Sequence, residues 1–246
     1  MAEGDHLEVV KWAHENGCPW DSSTSYRAAK GGHFELLQYL NENGCPLTIL
    51  TLTVAAESGN LPMVQWMVTN GCIVSSMANA YAAHKGHLDV VKWLETTGNR
   101  CDEECYNFAA AGGHIKVLQY LLDSECPPPS TFDVATRATR SGHLSVLKWM
   151  HAHEWYCVEQ CSADDQKIIC GLAAQYGHLD LMKWLRLNSV AWDKQKCMDL
   201  AAYAGHLDVV KFIYNEGGKW TMRTTKKARD GGHISVLWWA NNNCLM

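Results

Sequence analysis

The 246-residue sequence has no excess of positive charge: 21 Lys and Arg stand against 26 Asp and Glu, a net charge of −5 with His neutral. Such a chain has no global field to draw it onto nucleic acid or an anionic membrane. It lacks any apolar run near the ~18–20 residues that cross a bilayer. Its acidic start, Met1-Ala2-Glu3-Gly4-Asp5, has no apolar core of the kind a secretory signal needs. Asn-x-Ser/Thr acceptors are missing. So are a Gly-rich phosphate loop, a nucleophile elbow and a metalloprotease helix, and no cofactor is called for. Cysteine is not scarce. There are 11, an odd number spread along the chain. Disulfide-stapled domains are short and even in count, so reduced thiols and a cytoplasmic location are expected.

What is present is a repeat. A Gly-His-apolar signature recurs at His33, His87, His114, His143, His178, His206 and His233. His6 opens the series after Asp5, and Asn60 fills one slot. Successive gaps from His6 are 27, 27, 27, 27, 29, 35, 28 and 27 residues. With this residue as position zero, +6 is aromatic in all nine frames, from Trp12 and Tyr39 to Trp239. Apolar residues at +1, +3, +4 and +7 trace one face of a helix. Acidic residues at +2, such as Glu8, Glu35 and Asp89, suit its first turn. Gly44 and its equivalents at +11, followed by Pro46 and its equivalents, suit its stop. This is helix B of each unit.

A shorter helix A precedes each His. Its −5 and −4 positions are Ala-Ala in six frames, looser at Ala138-Thr139 and Ala228-Arg229. The Gly at −1 ends it. One helix–turn–helix cannot bury its apolar side alone, so units must stack. The expectation is an all-α solenoid over residues 1–246 as one domain. It would hold about eight helix pairs and half a repeat at the N-terminus.

The Ala-Ala-x-x-Gly-His-Leu-Asp-Val-Val-Lys core at 82–92 and 201–211 resembles the ankyrin repeat signature. Two features depart from it. The family's Thr-Pro-Leu-His opening is absent, its slots reading Ser23–Tyr26 or Leu50–Thr53. The period is 27 rather than about 33. The shortfall lies between helix B and the next helix A, where the family projects a β-hairpin finger. Short loops around Cys18-Pro19-Trp20-Asp21 and its variants are expected in its place. This short, aromatic repeat is similar to arrays in large DNA viruses of amoebae, algae and oomycetes. A viral chain would act in host cytoplasm.

Other residues have plain structural readings. Histidines at position zero read as turn residues bonding nearby backbone. The +6 aromatics read as packing between helices B, and Cys18, Cys45, Cys72 and Cys126 at +12 as small buried hydrophobes. The alternative chemistry is a metal-binding module at 151–161, from His151, His153, Cys157 and Cys161. His151 and His153, two apart at the end of a helix, point to different sides.

The resemblance implies a non-catalytic adaptor that binds another protein along its concave helix A surface. The family's variable slots map to −3 and −2. Here they hold Lys30, Glu57, His84, Lys85, Arg140, Gln175, Tyr176, Tyr203 and Asp230. Arg and Tyr are favoured at binding hot spots, which singles out Arg140, Tyr176 and Tyr203. The basic run Lys219, Arg223, Lys226, Lys227 and Arg229 reads as a solvated face able to attract an acidic segment. A longer polar loop is expected near 153–167, either a second recognition element or a tolerated insertion, since added loop length costs little stability. Both ends look uncapped, and one or both are expected to associate with a partner or a second copy. A structural spacer is the remaining alternative.

Overall fold

The computed structural model describes residues 7–124, 126–155 and 161–244. Those residues form seventeen α-helices and no strand. No helix among them is long and apolar enough to cross a membrane. Residues 1–129 make one compact unit and 130–246 another.

The first unit starts with a helix B, α1 (Leu7–Glu15). Four pairs follow: α2 (Ser22–Lys30) and α3 (Phe34–Glu42), α4 (Ile49–Glu57) and α5 (Leu61–Thr69), α6 (Ser76–Lys85) and α7 (Leu88–Thr96), α8 (Glu103–Gly112) and α9 (Ile115–Asp123). The second unit has four more: α10 (Thr131–Ser141) and α11 (Leu144–Ala152), α12 (Ala163–Gln175) and α13 (Leu179–Leu187), α14 (Lys194–Ala204) and α15 (Leu207–Asn215), α16 (Met222–Asp230) and α17 (Ile234–Asn243). Within each unit, helices A pack in one row, α2 on α4 on α6 on α8 and α10 on α12 on α14 on α16. Helices B form a second row, seen in α5 on α7 and in α13 on α15 on α17. The connections that replace a hairpin finger, such as 43–48 and 70–75, contain no strand.

Helices A begin at side-chain caps that the sequence reading missed. Asp21, Thr48, Asp102, Asp193 and Thr221 each accept a hydrogen bond from a backbone N–H in the following turn. All five lie at +15 of the preceding frame, so the signal was present. Seven helices B are followed at +11 by a left-handed residue. Gly44 has φ +84, and where glycine is missing Glu154 and Ser189 still adopt φ 53 and 55. A side chain there is strained by roughly 1–2 kcal/mol. Ser189→Gly is therefore expected to raise stability by about 1 kcal/mol in urea unfolding. An unchanged or lower midpoint would contradict the strain.

The Ala-Ala pairs of helix A are fully buried, as at Ala55-Ala56 and Ala201-Ala202, and let neighbouring helices A approach closely. On helix B the buried stripe is +3, +4 and +7, as in Leu36, Leu37 and Leu40. The +6 aromatics differ from expectation: Trp66, Trp93, Tyr120, Trp149 and Trp184 are only half-buried. At about 100° per residue, +6 lies about 100° from the centre of that stripe. It therefore flanks the core and meets neighbours edge-on, as Trp66 does Phe34 (5.7 Å) and Trp239 does Tyr214 (5.5 Å).

The polar stretch read as a loop near 153–167 is helical from Ala163, with Ser162 as cap. The extra length partly extends α12, which has 13 residues. On α16 the −8, −7 and −4 slots hold Thr225, Lys226 and Arg229, and Lys226 and Arg229 are exposed. Interior repeats bury Ala at −4. Beside them α17 leaves Ile234 and Trp238 at 79% and 69% exposure. This side of the last described pair is thus basic on α16 and apolar on α17.

The +12 thiols form a ladder. Cys45 donates to Asp21 O (3.2 Å), Cys72 to Thr48 O (3.4 Å) and Cys126 to Cys101 O (3.1 Å), each in the preceding connection. All three are buried, whereas Cys18 is exposed. Burial pushes the Cys126 and Cys170 thiols from the ordinary 9.0 up to about 12. A raised folded-state value means the native state holds the proton more tightly. That stability is complete below about pH 9 and is lost as pH rises toward 12. At neutral pH an aromatic disulfide reagent is expected to label Cys18 well before Cys45, Cys72 and Cys126. Equal rates would show that the ladder is not packed.

Candidate functional site

The histidine at position zero joins repeats. His87 Nε2 lies 3.1 Å from Glu57 O, His178 Nε2 2.9 Å from Arg140 O and His206 Nε2 3.0 Å from Gln175 O. A carbonyl only accepts, so each Nε2 carries the proton. The carbonyl belongs to the −3 residue of the preceding repeat, not to the histidine's own turn. The ring also occupies the space above the preceding −1 glycine. A Cβ on Gly142 would sit 2.6 Å from the His178 ring, and one on Gly205 would overlap His233. Asn60 behaves differently and caps its own helix through Met63 N–H (3.1 Å).

This joint ties the −3 backbone into the stack and leaves most −3 side chains outside. In the first unit Lys30 and Lys85 are exposed and Glu57 is half-buried. Lys85 Nζ lies 3.5 Å from Glu57 Oε1, so these two slots pair with each other. His84 is half-buried, edge-on to the Phe108 ring at 5.8 Å with Nδ1 3.3 Å from Phe108 O. Its contacts are those of a packing residue. In the second unit Arg140, Gln175, Tyr176, Tyr203 and Asp230 are all exposed. Tyr176 stacks on His178, and Lys227 lies 5.6 Å from the Tyr203 ring centre.

Helical spacing adds the −6 and −10 slots to the same face, which the sequence reading left out. They share that face because i, i+4 and i+7 do. In the first unit Leu50, Val54, Met77 and Tyr81 at these slots, with Tyr26 and Ile49 beside them, line a mainly apolar groove of ≈ 330 Å³ whose polar edge is Thr53, Glu57 and Ser75. Leu50 is 68% exposed, Ile49 43% and Met77 41%.

In the second unit four of the eight −6 and −10 slots are basic, and Arg140 at −3 adds a fifth cation. Arg137 and Arg140 lie on α10, Lys196 on α14, and Arg223 and Lys227 on α16. Beneath them Asp199 is 3% exposed. It accepts from Thr224 Oγ1 (2.7 Å) and Gln195 Nε2 (3.0 Å), and Arg223 Nε lies 2.9 Å from its other oxygen. That ion pair lacks hydrogen-bond alignment, and Asp199 Oδ2 has no other partner.

The residues considered for a metal have other contacts. His151 stands edge-on to Trp184 at 5.9 Å, and His153 Nδ1 lies 2.8 Å from Trp149 O. Cys157 lies outside the described residues, and Cys161 is half-buried. Among the described residues no three His, Cys, Asp or Glu side chains are grouped to hold a metal ion.

Residues 52–131 match the family model described as ankyrin repeats (3 copies). No curated protein matches the chain.

Proposed function

This chain is an ankyrin-repeat protein, and on that premise we propose that it is a non-catalytic module that binds another protein through its helix A faces. Ankyrin repeats are in general protein-interaction modules. The observation that carries the reading is the exposure of Leu50, Ile49 and Met77 around one groove. The stack does not need these side chains. The Ala, Leu and Val slots that hold helices together are buried elsewhere, and a contiguous exposed apolar patch is what a partner covers. The slots singled out from sequence, Lys30, Glu57, His84 and Lys85, belong to the same face. Arg140, Gln175, Tyr176, Tyr203 and Asp230 make the corresponding face of the second unit.

Affinity capture from source-cell lysate tests this with one variant per unit. Leu50→Glu/Met77→Glu alters the apolar groove. Arg140→Glu/Tyr176→Ser/Tyr203→Asp alters the second face. All five side chains are exposed, so both variants are expected to keep wild-type circular dichroism and Tm. A partner retained by the wild type and lost from either variant supports the reading. Identical captured proteins for all three chains would refute it.

A further inference from the structure

We infer that the helix A face of the second unit docks an acidic segment of another protein that carries apolar side chains at its middle. This rests on the protein-binding reading above and adds the chemistry of the partner. Charge is divided unevenly between the units. Residues 1–129 hold seven Lys and Arg against fifteen Asp and Glu, whereas residues 130–246 hold fourteen against eleven. A chain of net charge −5 thus has one unit of net charge +3. The surplus gathers on one face.

Arg137 and Arg140 stand on α10 at one side, with Lys196 on α14 and Lys227 on α16 at the other. Ile168 on α12, 42% exposed, lies between them in the row, and Tyr203, 50% exposed, shares α14 with Lys196 and meets Lys227 at 5.6 Å. Asp133 and Asp230 are the acidic residues at these slots on the surface. No ion pair among the described residues engages Arg137, Arg140 or Lys196. Arg223, by contrast, already answers buried Asp199. The stack gives no reason for the arrangement, since its framework slots are neutral Ala, Gly and His. Four helices at about 8–10 Å spacing span about 25–30 Å, the length of about eight extended residues. Cations at both sides with an apolar centre therefore fit a short segment, acidic at its ends and apolar in the middle. Complementary charge would steer and orient it, and the buried apolar contact would hold it.

The test is fluorescence anisotropy with the full chain and a fluorescein-labelled peptide of Glu and Asp around a central Leu-Tyr pair. Binding is expected, weakening as salt is raised. Arg137→Glu/Arg140→Glu and Lys196→Glu/Lys227→Glu are each expected to raise Kd at least about tenfold. Arg137→Lys/Arg140→Lys, which keeps the charge, is expected to restore most of the affinity. Tyr203→Ser is expected to weaken this peptide but not an all-acidic one.

Equal Kd for wild type and both reversal variants would overturn the inference. So would tighter binding of a Lys-rich counterpart peptide or of single-stranded oligo-U. Sedimentation showing wild-type dimers that the reversals dissociate and the peptide leaves intact would overturn it in favour of a second copy. If the peptide fails while lysate capture still depends on Leu50 and Met77, the inference falls and the protein-binding reading stands.

Discussion

Alanine at Gly205 is expected to lower stability by about 3 kcal/mol or more in urea unfolding. Two effects combine. Gly205 has φ +81, where a Cβ costs roughly 1–2 kcal/mol. That Cβ would also overlap the His233 ring. Gly217 separates the two effects. Its φ is +83, and the nearest atom to a Cβ there is the flexible Lys194 Nζ at 3.6 Å. Gly217→Ala should therefore lose only the strain, about 1–2 kcal/mol. His233→Ala in the Gly205→Ala background should recover the difference, because it removes the ring in the way. Equal losses at Gly205 and Gly217 would mean that the histidine does not join the repeats as described.

Tyr106→Ala is expected to cost about 4 kcal/mol, the scale of emptying an aromatic site in a core. Among the described residues Tyr106 is the largest fully buried side chain. It fills the −8 slot of α8, where that helix packs on α6. Its hydroxyl donates to Cys126 O at 2.9 Å, linking the helix A row to the following connection. Burial, together with neighbouring thiols, raises its phenol above the ordinary value, so it stays protonated as a donor. Tyr106→Phe keeps the ring and removes the donor, and should cost about 1–2 kcal/mol. Calorimetric or urea unfolding of the two variants distinguishes volume from hydrogen bonding. Nearly equal losses would show that the hydrogen bond, not the packing, dominates at this site.

The helix pairs were legible because their code is local. A period of 27 residues, Ala-Ala before Gly-His and apolar positions at helical spacing each need only neighbours in sequence to be read. Thr48, Asp102 and Asp193 show that more of this local code was present, since their caps recur at a constant offset. The −10 and −6 slots of the helix A face were equally readable, for a helix of known boundaries dictates which residues share the side of −3. What escaped was whatever depends on the angle between a side chain and its neighbours.

Position +6 looked like core by type and recurrence, yet its rings flank the stripe set by +3, +4 and +7. His84 looked like a variable surface residue, yet it packs on Phe108. Glu57 and Lys85 looked like separate contact slots, yet stacking brings them together as an ion pair.

The sequence by itself determined the repeat, its two helices and the loss of the hairpin finger. These follow from hydrogen bonds and periodicities within a few residues. Only the tertiary structure decided which carbonyl each histidine reaches, which glycine it covers and where the thiols point. The same is true of how Leu50 and Met77 come to line one groove. Those relations join residues about one repeat apart, and the rigid stacking of one pair on the next sets them.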